Sequence, residues 1–167
     1  PISANLSLAE GPMLVANTAS FIGRWPIPIR HSCSLGELAQ YFNATQQLKC
    51  NLTVIPFSFC ERTDFQPDWG NTFVATSPAI QSFESMLLYP GMCLLEATNI
   101  SEGRGTNQAF CIAGAPWMDS KKTAGLFNQL GLDEVVARPI HFTPIAGKYK
   151  DQQCNGIQLT IKEPAYF

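Results

Sequence analysis

The sequence predicts an α/β protein with a mixed sheet flanked by helices. Apolar residues recur at helical spacing in three stretches, and short apolar or alternating stretches of strand length lie between and after them. Helix-capping residues precede the helical stretches. Of the 167 residues, 46% are hydrophobic and 14% are charged, which is typical of a globular chain and not of a disordered one. We expect residues 1–167 to form one compact unit, and residue 115 marks the candidate for an internal boundary.

The first predicted helix begins after a capping box. Ser34 and Glu37 stand three residues apart, the spacing at which each side chain can satisfy a backbone N–H of the first turn. The apolar residues that follow on one face are Leu35, Leu38, Ala39 and Phe42. Residues 50–55 then alternate between apolar and polar side chains, which predicts a strand that ends before Pro56.

The second predicted helix begins at Ser77 and Pro78, because proline is favoured at the first helical position. The proline–glycine pair at 90–91 is expected to end it. Residues 92–95 form a short apolar run, which predicts a buried strand. The buried face of the helix would carry Ile80, Phe83 and Leu87.

The last third of the chain predicts one helix and two strands. Asp119 or Ser120 caps the helix, and Gly131 is expected to end it. Residues 135–142 and 157–161 are predicted strands, and the second has one wetter face because its apolar and polar residues alternate. The inward side chains of the helix would be Ala124, Phe127 and Leu130.

Charge and hydropathy argue against several classes of function. The net charge is −2 and the eleven lysines and arginines are scattered, so we do not expect a nucleic-acid partner. No stretch approaches 18 consecutive apolar residues, so no membrane span is predicted. Neither a phosphate-binding loop nor a dinucleotide fingerprint is present, and no cofactor is expected.

Six cysteines stand at positions 33, 50, 60, 93, 111 and 154. Their even number permits up to three disulfides, with 15 possible pairings. None forms a C-x-x-C pair, so a zinc or redox site is not expected and no metal is predicted. The interpretation that we favour is buried free thiols in a reducing compartment, and disulfides are the alternative.

The polar block 96–106 is the first place where chemistry could occur. It follows the predicted strand 92–95, and in α/β folds ligands collect beyond the carboxyl ends of strands. Glycines flank Arg104, so the backbone there can approach a ligand closely. The alternative is a solvated loop held by its own side-chain turns. The candidate polar residues in this block are Glu96, Asn99, Glu102, Arg104 and Thr106.

A second polar cluster precedes the first predicted helix. The proline-rich segment 26–29 presents Arg30 and His31 just before the helix N-terminus. A single histidine is more often a structural hydrogen-bond partner than a catalyst, and that alternative stays open here. No nucleophile elbow of the G-x-S-x-G type is present, which argues against acyl-transfer chemistry.

These segments resemble, in the same order, the NamZ family of exo-β-N-acetylmuramidases. The resemblance covers positions 10 to about 156, and the long block 96–106 is its most specific motif. The other matching motifs are Glu10-Gly11-Pro12, Phe21-Ile22-Gly23, Pro26-Ile27-Pro28-Ile29-Arg30-His31, Gly36-Glu37-Leu38-Ala39, Phe42-Asn43, Ser77-Pro78, Tyr89-Pro90-Gly91, Gly114-Ala115-Pro116-Trp117 and Phe142-Thr143-Pro144.

The chain departs from the family pattern at three positions of the candidate site. Ser32 stands where the family usually has glycine after the histidine. Ala79 stands where asparagine usually follows Ser-Pro, and Ala97 stands where glycine usually follows the first glutamate of the long block. These changes bear on which substrate the chain prefers.

The resemblance implies a glycoside hydrolase that releases terminal N-acetylmuramic acid from peptidoglycan fragments, with a muropeptide or muramyl disaccharide as substrate. Hydrolysis of this kind uses a pair of carboxyl groups around the glycosidic bond. We expect Glu102 to be the catalytic carboxylate, with Glu96 second. The expected substrate-binding residues are Arg104, Arg30, His31, Asn99, Thr106 and Ser77.

The resemblance further implies a bacterial protein of the periplasm or the extracellular space. It implies that the chain is a fragment of a two-domain architecture, Rossmann-like plus α+β, whose amino-terminal half has no counterpart here. A complementary segment or a second copy would then cover the exposed apolar surface. The alternative function is a non-catalytic or degenerate carbohydrate-binding module, which the changes at Ala79 and Ala97 favour.

Overall fold

A computed structural model describes residues 31–163 except 57, 59, 60, 62, 66, 67, 69 and 71. Arg30 and the motifs before it therefore lie outside the described residues. The structure contains both helices and a sheet, so the α/β prediction is confirmed at that level. In chain order the elements are α1 (Leu35–Thr45), α2 (Phe83–Met92), a 3-10 helix (Cys93–Ala97), β1 (Ile112–Ala115), α3 (Ser120–Asn128), β2 (Val135–Phe142) and β3 (Cys154–Ile161).

The three strands form one sheet in the order β1-β3-β2, and both pairs are antiparallel. A mixed sheet was expected, but in the described part of the chain the sheet has no parallel pair. Gly114 of β1 lies opposite Gly156 of β3. A Cβ on Gly156 would overlap the carbonyl oxygen of Ala113, so this close approach of two strands requires glycine.

The core lies between the sheet and the helices. Phe110 is completely buried, and Leu88 and Met92 of α2 and Cys93 of the 3-10 helix pack into the same cluster. The sheet contributes small and branched side chains, and α3 contributes Ala124. The buried sheet residues of this cluster are Ala113, Val135, Ala137 and Ile157.

The capping box of α1 is confirmed. The Ser34 hydroxyl accepts from the Glu37 N–H at 3.2 Å, and the Glu37 carboxylate accepts from the Ser34 N–H at 2.7 Å. No residue of α1 is buried, and Leu35 is 86% exposed, so its prediction as an inward residue is wrong. Val54 packs close to Gly36 in the same turn and leaves Leu35 uncovered.

The predicted strand at residues 50–55 is also wrong, since no described strand pairs with this segment. The side chain of Asn43 in α1 takes the place of a neighbouring strand. Its carbonyl oxygen accepts from the Cys50 N–H at 2.9 Å, and its amide donates to the Cys50 carbonyl at 3.0 Å. Alternation alone therefore predicted an extended segment without the backbone partner that makes a strand.

The second helix begins later than predicted. Ser77 closes a turn, because its hydroxyl accepts from the N–H groups of Ala79 and Ile80 at 3.3 and 3.2 Å. Ser82 caps α2 instead, with Ser85 completing the capping box. Serine favours turns and N-caps alike, so the Ser-Pro pair did not distinguish the two. Ile80 is buried as expected, whereas Phe83 and Leu87 are only half-buried.

Pro90 and Gly91 lie inside the last turn of α2 and do not end it. The chain continues directly into the 3-10 helix, so the predicted strand at residues 92–95 is wrong. A short apolar run has no periodicity that separates a buried strand from a buried helical turn. Proline removes one hydrogen bond near the end of a helix, where the tighter 3-10 turns take over.

In the last third, β2 has the predicted bounds, and β3 begins three residues before the predicted start. Asp119 is the N-cap of α3, with its carboxylate accepting from the Lys122 N–H at 3.0 Å. The helix ends at Asn128, before Gly131, so Leu130 falls outside it and is exposed. The strand β1 was missed because its residues, Ile-Ala-Gly-Ala, are small and do not alternate.

Candidate functional site

The polar block 96–106 begins in the 3-10 helix and then runs beside β1. Ser101 and Gly114 exchange two backbone hydrogen bonds, at 2.8 and 2.9 Å. The Phe110 N–H donates to the Glu102 carbonyl at 2.7 Å, which closes the loop between the two segments. The block is therefore fixed laterally against the sheet and does not follow a strand, as the sequence had predicted.

Glu102 is the buried carboxylate of the site, with only 4% of its side chain exposed. Its Oε1 lies 3.4 Å from Arg104 Nε, and its Oε2 lies 3.1 Å from Lys148 Nζ. A buried charge needs such partners, because removal from water is costly unless charges and hydrogen bonds compensate it. Both oxygens of Glu102 are thus engaged by cations.

Lys148 is the residue that sequence reasoning missed. Its ammonium group has three N–H donors, and these go to the Leu95 carbonyl at 2.8 Å, the Ile100 carbonyl at 2.9 Å and Glu102 at 3.1 Å. Lys148 lies 46 residues from Glu102 along the chain, so no local pattern could have indicated the contact. It fixes both the backbone of the polar block and its buried carboxylate.

Arg104 joins the two carboxylates of the block. Its Nη2 donates to Glu96 Oε1 at 3.1 Å, while its Nε faces Glu102. The guanidinium carbon lies 4.9 Å from the centre of the Phe110 ring, a favourable cation–π distance. Lys148, Glu102, Arg104 and Glu96 therefore form a row of alternating charges whose formal sum is zero.

Arg104 also lines an open groove of about 440 Å³. It is the one charged residue among the described lining residues, and Met86 and Tyr89 make much of the remaining exposed surface apolar. The buried ring of Phe110 packs against Tyr89, with 4.8 Å between the ring centres. Ser77 lines the groove too, and its role in substrate binding stays a prediction. The rest of the described lining consists of Thr76, Pro78, Ala79 and Ile80.

Asn99 and Thr106 lie in the block, and their hydrogen bonds in the described residues are structural. The Asn99 carbonyl accepts from the Tyr149 hydroxyl at 2.6 Å, and Trp117 Nε1 donates to the same hydroxyl at 3.3 Å. The Thr106 hydroxyl donates to the Gly103 carbonyl at 2.7 Å and accepts from the Gln108 N–H at 3.1 Å. These bonds fit the alternative of a loop held by its own turns.

The second polar cluster, Arg30 and His31, was expected to contribute to the site. The described residues do not show that contribution. His31 Nδ1 accepts from the Cys33 N–H at 3.1 Å, a local contact at the entry to α1. No hydrogen bond joins His31 to the row of charges in the part that the structure describes. Arg30 lies outside that part, so its place in the site stays a prediction.

Two of the three departures from the family pattern occur at positions where the structure shows what the change alters. Ser32 has a φ of +54°, in the left-handed region that glycine adopts without strain. Ala79 lines the groove, where the more usual asparagine would add an amide to an apolar wall. Ala97 is exposed at the end of the 3-10 helix.

Metal binding and membrane insertion each depend on structural features of the described residues. They contain no group of three or more histidine, cysteine, aspartate or glutamate side chains placed to hold a metal ion. They also contain no helix with the length and apolar character that a bilayer crossing needs. The carboxylates of the site face Arg104 and Lys148 instead.

An apolar groove lined by one arginine, which is itself paired with two carboxylates, defines a candidate site for a ligand that is partly apolar and carries a negative charge. Two family models match the chain over its length: the N-terminal domain of exo-β-N-acetylmuramidase NamZ at residues 1–84, and the C-terminal domain at residues 87–167. The chain belongs to the NamZ family. The match at 1–84 corrects one implication of the resemblance, because part of the N-terminal domain does have a counterpart here.

The chain is 39% identical over 154 residues to the peptidoglycan β-N-acetylmuramidase NamZ of Bacillus subtilis (strain 168). That match covers 92% of this chain and 37% of the relative. Two crystal structures of DUF1343 family proteins from Bacteroides fragilis are similar, with TM-scores of 0.75 and 0.62 and identities of 31% and 27%. They cover 83% and 84% of this chain, which spans 37% of each of them.

Proposed function

We propose that the protein containing this chain is a glycoside hydrolase that releases terminal N-acetylmuramic acid from peptidoglycan fragments. The observation that carries the proposal is the pair Glu96 and Glu102 on one arginine at the wall of the groove. The relative from Bacillus subtilis is named a peptidoglycan β-N-acetylmuramidase, and it supports the same substrate class. The muropeptide or muramyl disaccharide would enter at the groove.

Glu96 and Glu102 differ in burial, and this difference suggests different roles for their carboxylates. Glu96 is 31% exposed and has one hydrogen-bond partner in the described residues, so it can exchange a proton with a substrate or with water. Glu102 has both oxygens held by cations and anchors Arg104. We therefore assign proton transfer to Glu96 and the anchoring role to Glu102, the reverse of the order expected from sequence.

Arg104 is the proposed reader of the lactyl carboxylate, the group that distinguishes N-acetylmuramic acid from N-acetylglucosamine. A guanidinium can meet a carboxylate with two parallel hydrogen bonds. Among the described residues, Nη1 of Arg104 has no hydrogen-bond partner, so part of the fork is available to a ligand. Ser77 and the apolar lining would contact the sugar, and Arg30 and His31 stay proposed contributors.

We also propose that this chain is part of the two-domain, Rossmann-like plus α+β architecture that the sequence suggested. Its matches to both an N-terminal and a C-terminal domain model support this placement, as does its coverage of 37% of the relatives. A periplasmic or extracellular site of action would follow from a peptidoglycan substrate.

The proposal is tested by incubating the protein that contains this chain with N-acetylmuramyl-N-acetylglucosamine and measuring released N-acetylmuramic acid by mass spectrometry. We expect turnover in the wild type and a loss of about 10²–10⁴-fold in Glu96→Gln, the usual cost of removing a general acid or base. Binding of the disaccharide without any release would instead support the alternative, a carbohydrate-binding module. Near-normal turnover of Glu96→Gln with loss in Glu102→Gln would return the catalytic role to Glu102.

A further inference from the structure

The two carboxylates that contact Arg104 are held very differently. Glu102 is buried, and Lys148 fixes its second oxygen. Glu96 is partly exposed, and its one hydrogen bond in the described residues comes from Arg104 Nη2. Solvent-exposed ion pairs contribute little free energy, whereas a buried and doubly bonded carboxylate is costly to move. The Arg104–Glu96 contact is therefore the one that a competing anion can replace.

The charge balance of the row formed by Lys148, Glu102, Arg104 and Glu96 also indicates that an anion would have to replace Glu96. Arg104 and Lys148 balance Glu96 and Glu102, so the row has no spare positive charge for an incoming anion. A ligand carboxylate at Arg104 would add one negative charge close to Glu96. Its repulsion by Glu96 disappears only if the Glu96 side chain turns away or loses its charge.

We propose that Glu96 occupies, in the free protein, the place of a ligand's carboxylate on Arg104, and that a carboxylate-bearing sugar entering the groove replaces it. This inference rests on the proposed function and deepens it. Glu102 and Lys148 hold Arg104 in position during the exchange. The released Glu96 side chain is then free to turn toward the bound sugar, so binding of the correct substrate makes the proton-exchanging group available.

The groove determines which carboxylates can compete. Arg104 is the only charged side chain in its described lining, which also includes the partly exposed Met86 and Tyr89. A small carboxylate carried next to an apolar group fits these neighbours better than a polyanion does. The lactyl ether of N-acetylmuramic acid, a carboxylate beside a methyl group, has this chemistry.

The test measures affinity for three ligands: N-acetylmuramic acid, its methyl ester and N-acetylglucosamine. Isothermal titration is done with the protein that contains this chain, as wild type, Glu96→Gln and Glu96→Ala, and the folded state of each is verified by circular dichroism. We expect both variants to bind N-acetylmuramic acid about tenfold more tightly, because one repulsive charge near Arg104 is removed. Affinity for the two uncharged ligands should stay within about twofold of the wild type.

Glu84→Gln is the matched control, since Glu84 is exposed in the first turn of α2 and has no ion pair with the row. It makes the same chemical change and should leave all three affinities unaltered. Unchanged or weaker binding of N-acetylmuramic acid by both Glu96 variants would overturn the inference. Equal tightening for all three ligands would overturn it as well, because the effect would then be independent of the carboxylate.

Turnover of the muramyl disaccharide is measured on the same preparations, which separates this inference from the proposed function. If the wild type releases no N-acetylmuramic acid but the Glu96 variants still tighten carboxylate binding, the hydrolase proposal fails and the exchange at Arg104 stands. If the wild type turns over normally and the Glu96 variants show no gain in affinity, the exchange fails and the hydrolase proposal stands.

Discussion

Gly105 stands at a position of the polar block that only glycine can occupy without strain. It has a φ of +81°, and a Cβ there would overlap the backbone of Ala146. The Gly105 carbonyl accepts from the Ile145 N–H at 2.9 Å, so the polar block and the loop after β2 are pressed together at this point. Arg104, the neighbouring residue, is positioned by this close approach.

We predict that Gly105→Ala destabilises the fold by at least about 2 kcal/mol, because it combines a steric overlap with an unfavourable φ. The free energy of unfolding is measured by urea denaturation. Gly125→Ala is the control: Gly125 lies within α3 with open space around its Cβ position, and alanine there should stabilise by about 0.5–1 kcal/mol. Equal effects of the two changes would contradict this account of Gly105.

At the scale of elements, the loop between β2 and β3 is hydrogen-bonded to the polar block 96–106. Lys148 bonds to Leu95, Ile100 and Glu102, and Tyr149 bonds to the carbonyl of Asn99. Tyr149 has a φ of +57°, a conformation that costs free energy in a non-glycine residue. The contacts that this loop makes to the block hold that conformation in place.

We predict that Lys148→Met destabilises the fold by at least about 2 kcal/mol, because it removes the cation from one oxygen of buried Glu102 and the side-chain donor from the Ile100 carbonyl. The Leu95 carbonyl would keep its hydrogen bonds from Thr98. Lys150→Met should change stability by less than about 0.5 kcal/mol, since Lys150 is exposed and lies 3.9 Å from Asp151. Thermal or urea unfolding of both variants gives the comparison.

A double-mutant cycle tests whether the Lys148 effect passes through Glu102. Glu102→Gln combined with Lys148→Met should cost less than the sum of the two single changes, because the uncompensated charge is then absent. Strict additivity would show that Lys148 acts only through the backbone carbonyl groups of Leu95 and Ile100.

At the scale of the whole molecule, the labelling rates of three free thiols measure how readily the core opens. Burial raises the pKa of Cys93 above its ordinary value of 9.0, and the negative charge of Glu96 raises it further. Burial is also the main cause of the raised pKa of Cys111 and of Cys154. Cys33 and Cys50 are exposed free thiols, so the expectation of buried cysteines holds for only part of the set.

We predict that iodoacetamide at pH 8 labels Cys33 and Cys50 in the folded protein, and labels the three core thiols at least about tenfold more slowly. Peptide mass spectrometry measures each rate, and labelling in urea should make the rates similar.

The raised pKa values of these thiols also have a consequence for the free energy of unfolding. Above pH 9, unfolded thiols lose protons that the folded ones keep, so stability should fall as pH rises through that range. Fast labelling of Cys154 without denaturant would contradict this picture of the core.

Local sequence determined the features whose physics is local. The capping box at Ser34 and Glu37 and the alternating residues 157–161 of β3 were predicted correctly, because capping and alternation depend on residues a few positions apart. The long motif at 96–106 was specific enough to place the chain in its family. It also named Glu96, Glu102 and Arg104, which the structure brings into contact.

Tertiary structure alone decided the rest. The segments 50–55 and 92–95 were assigned as strands, but a strand exists only when a distant backbone pairs with it, and short apolar runs carry no such information. The unpatterned β1 became a strand because β3 pairs with it. Lys148 reaches the site from 46 residues away, and only its three hydrogen bonds in the folded chain distinguish it from the other lysines. Burial, too, arises only on folding, and it is burial that separates the fixed carboxylate Glu102 from the exchangeable Glu96.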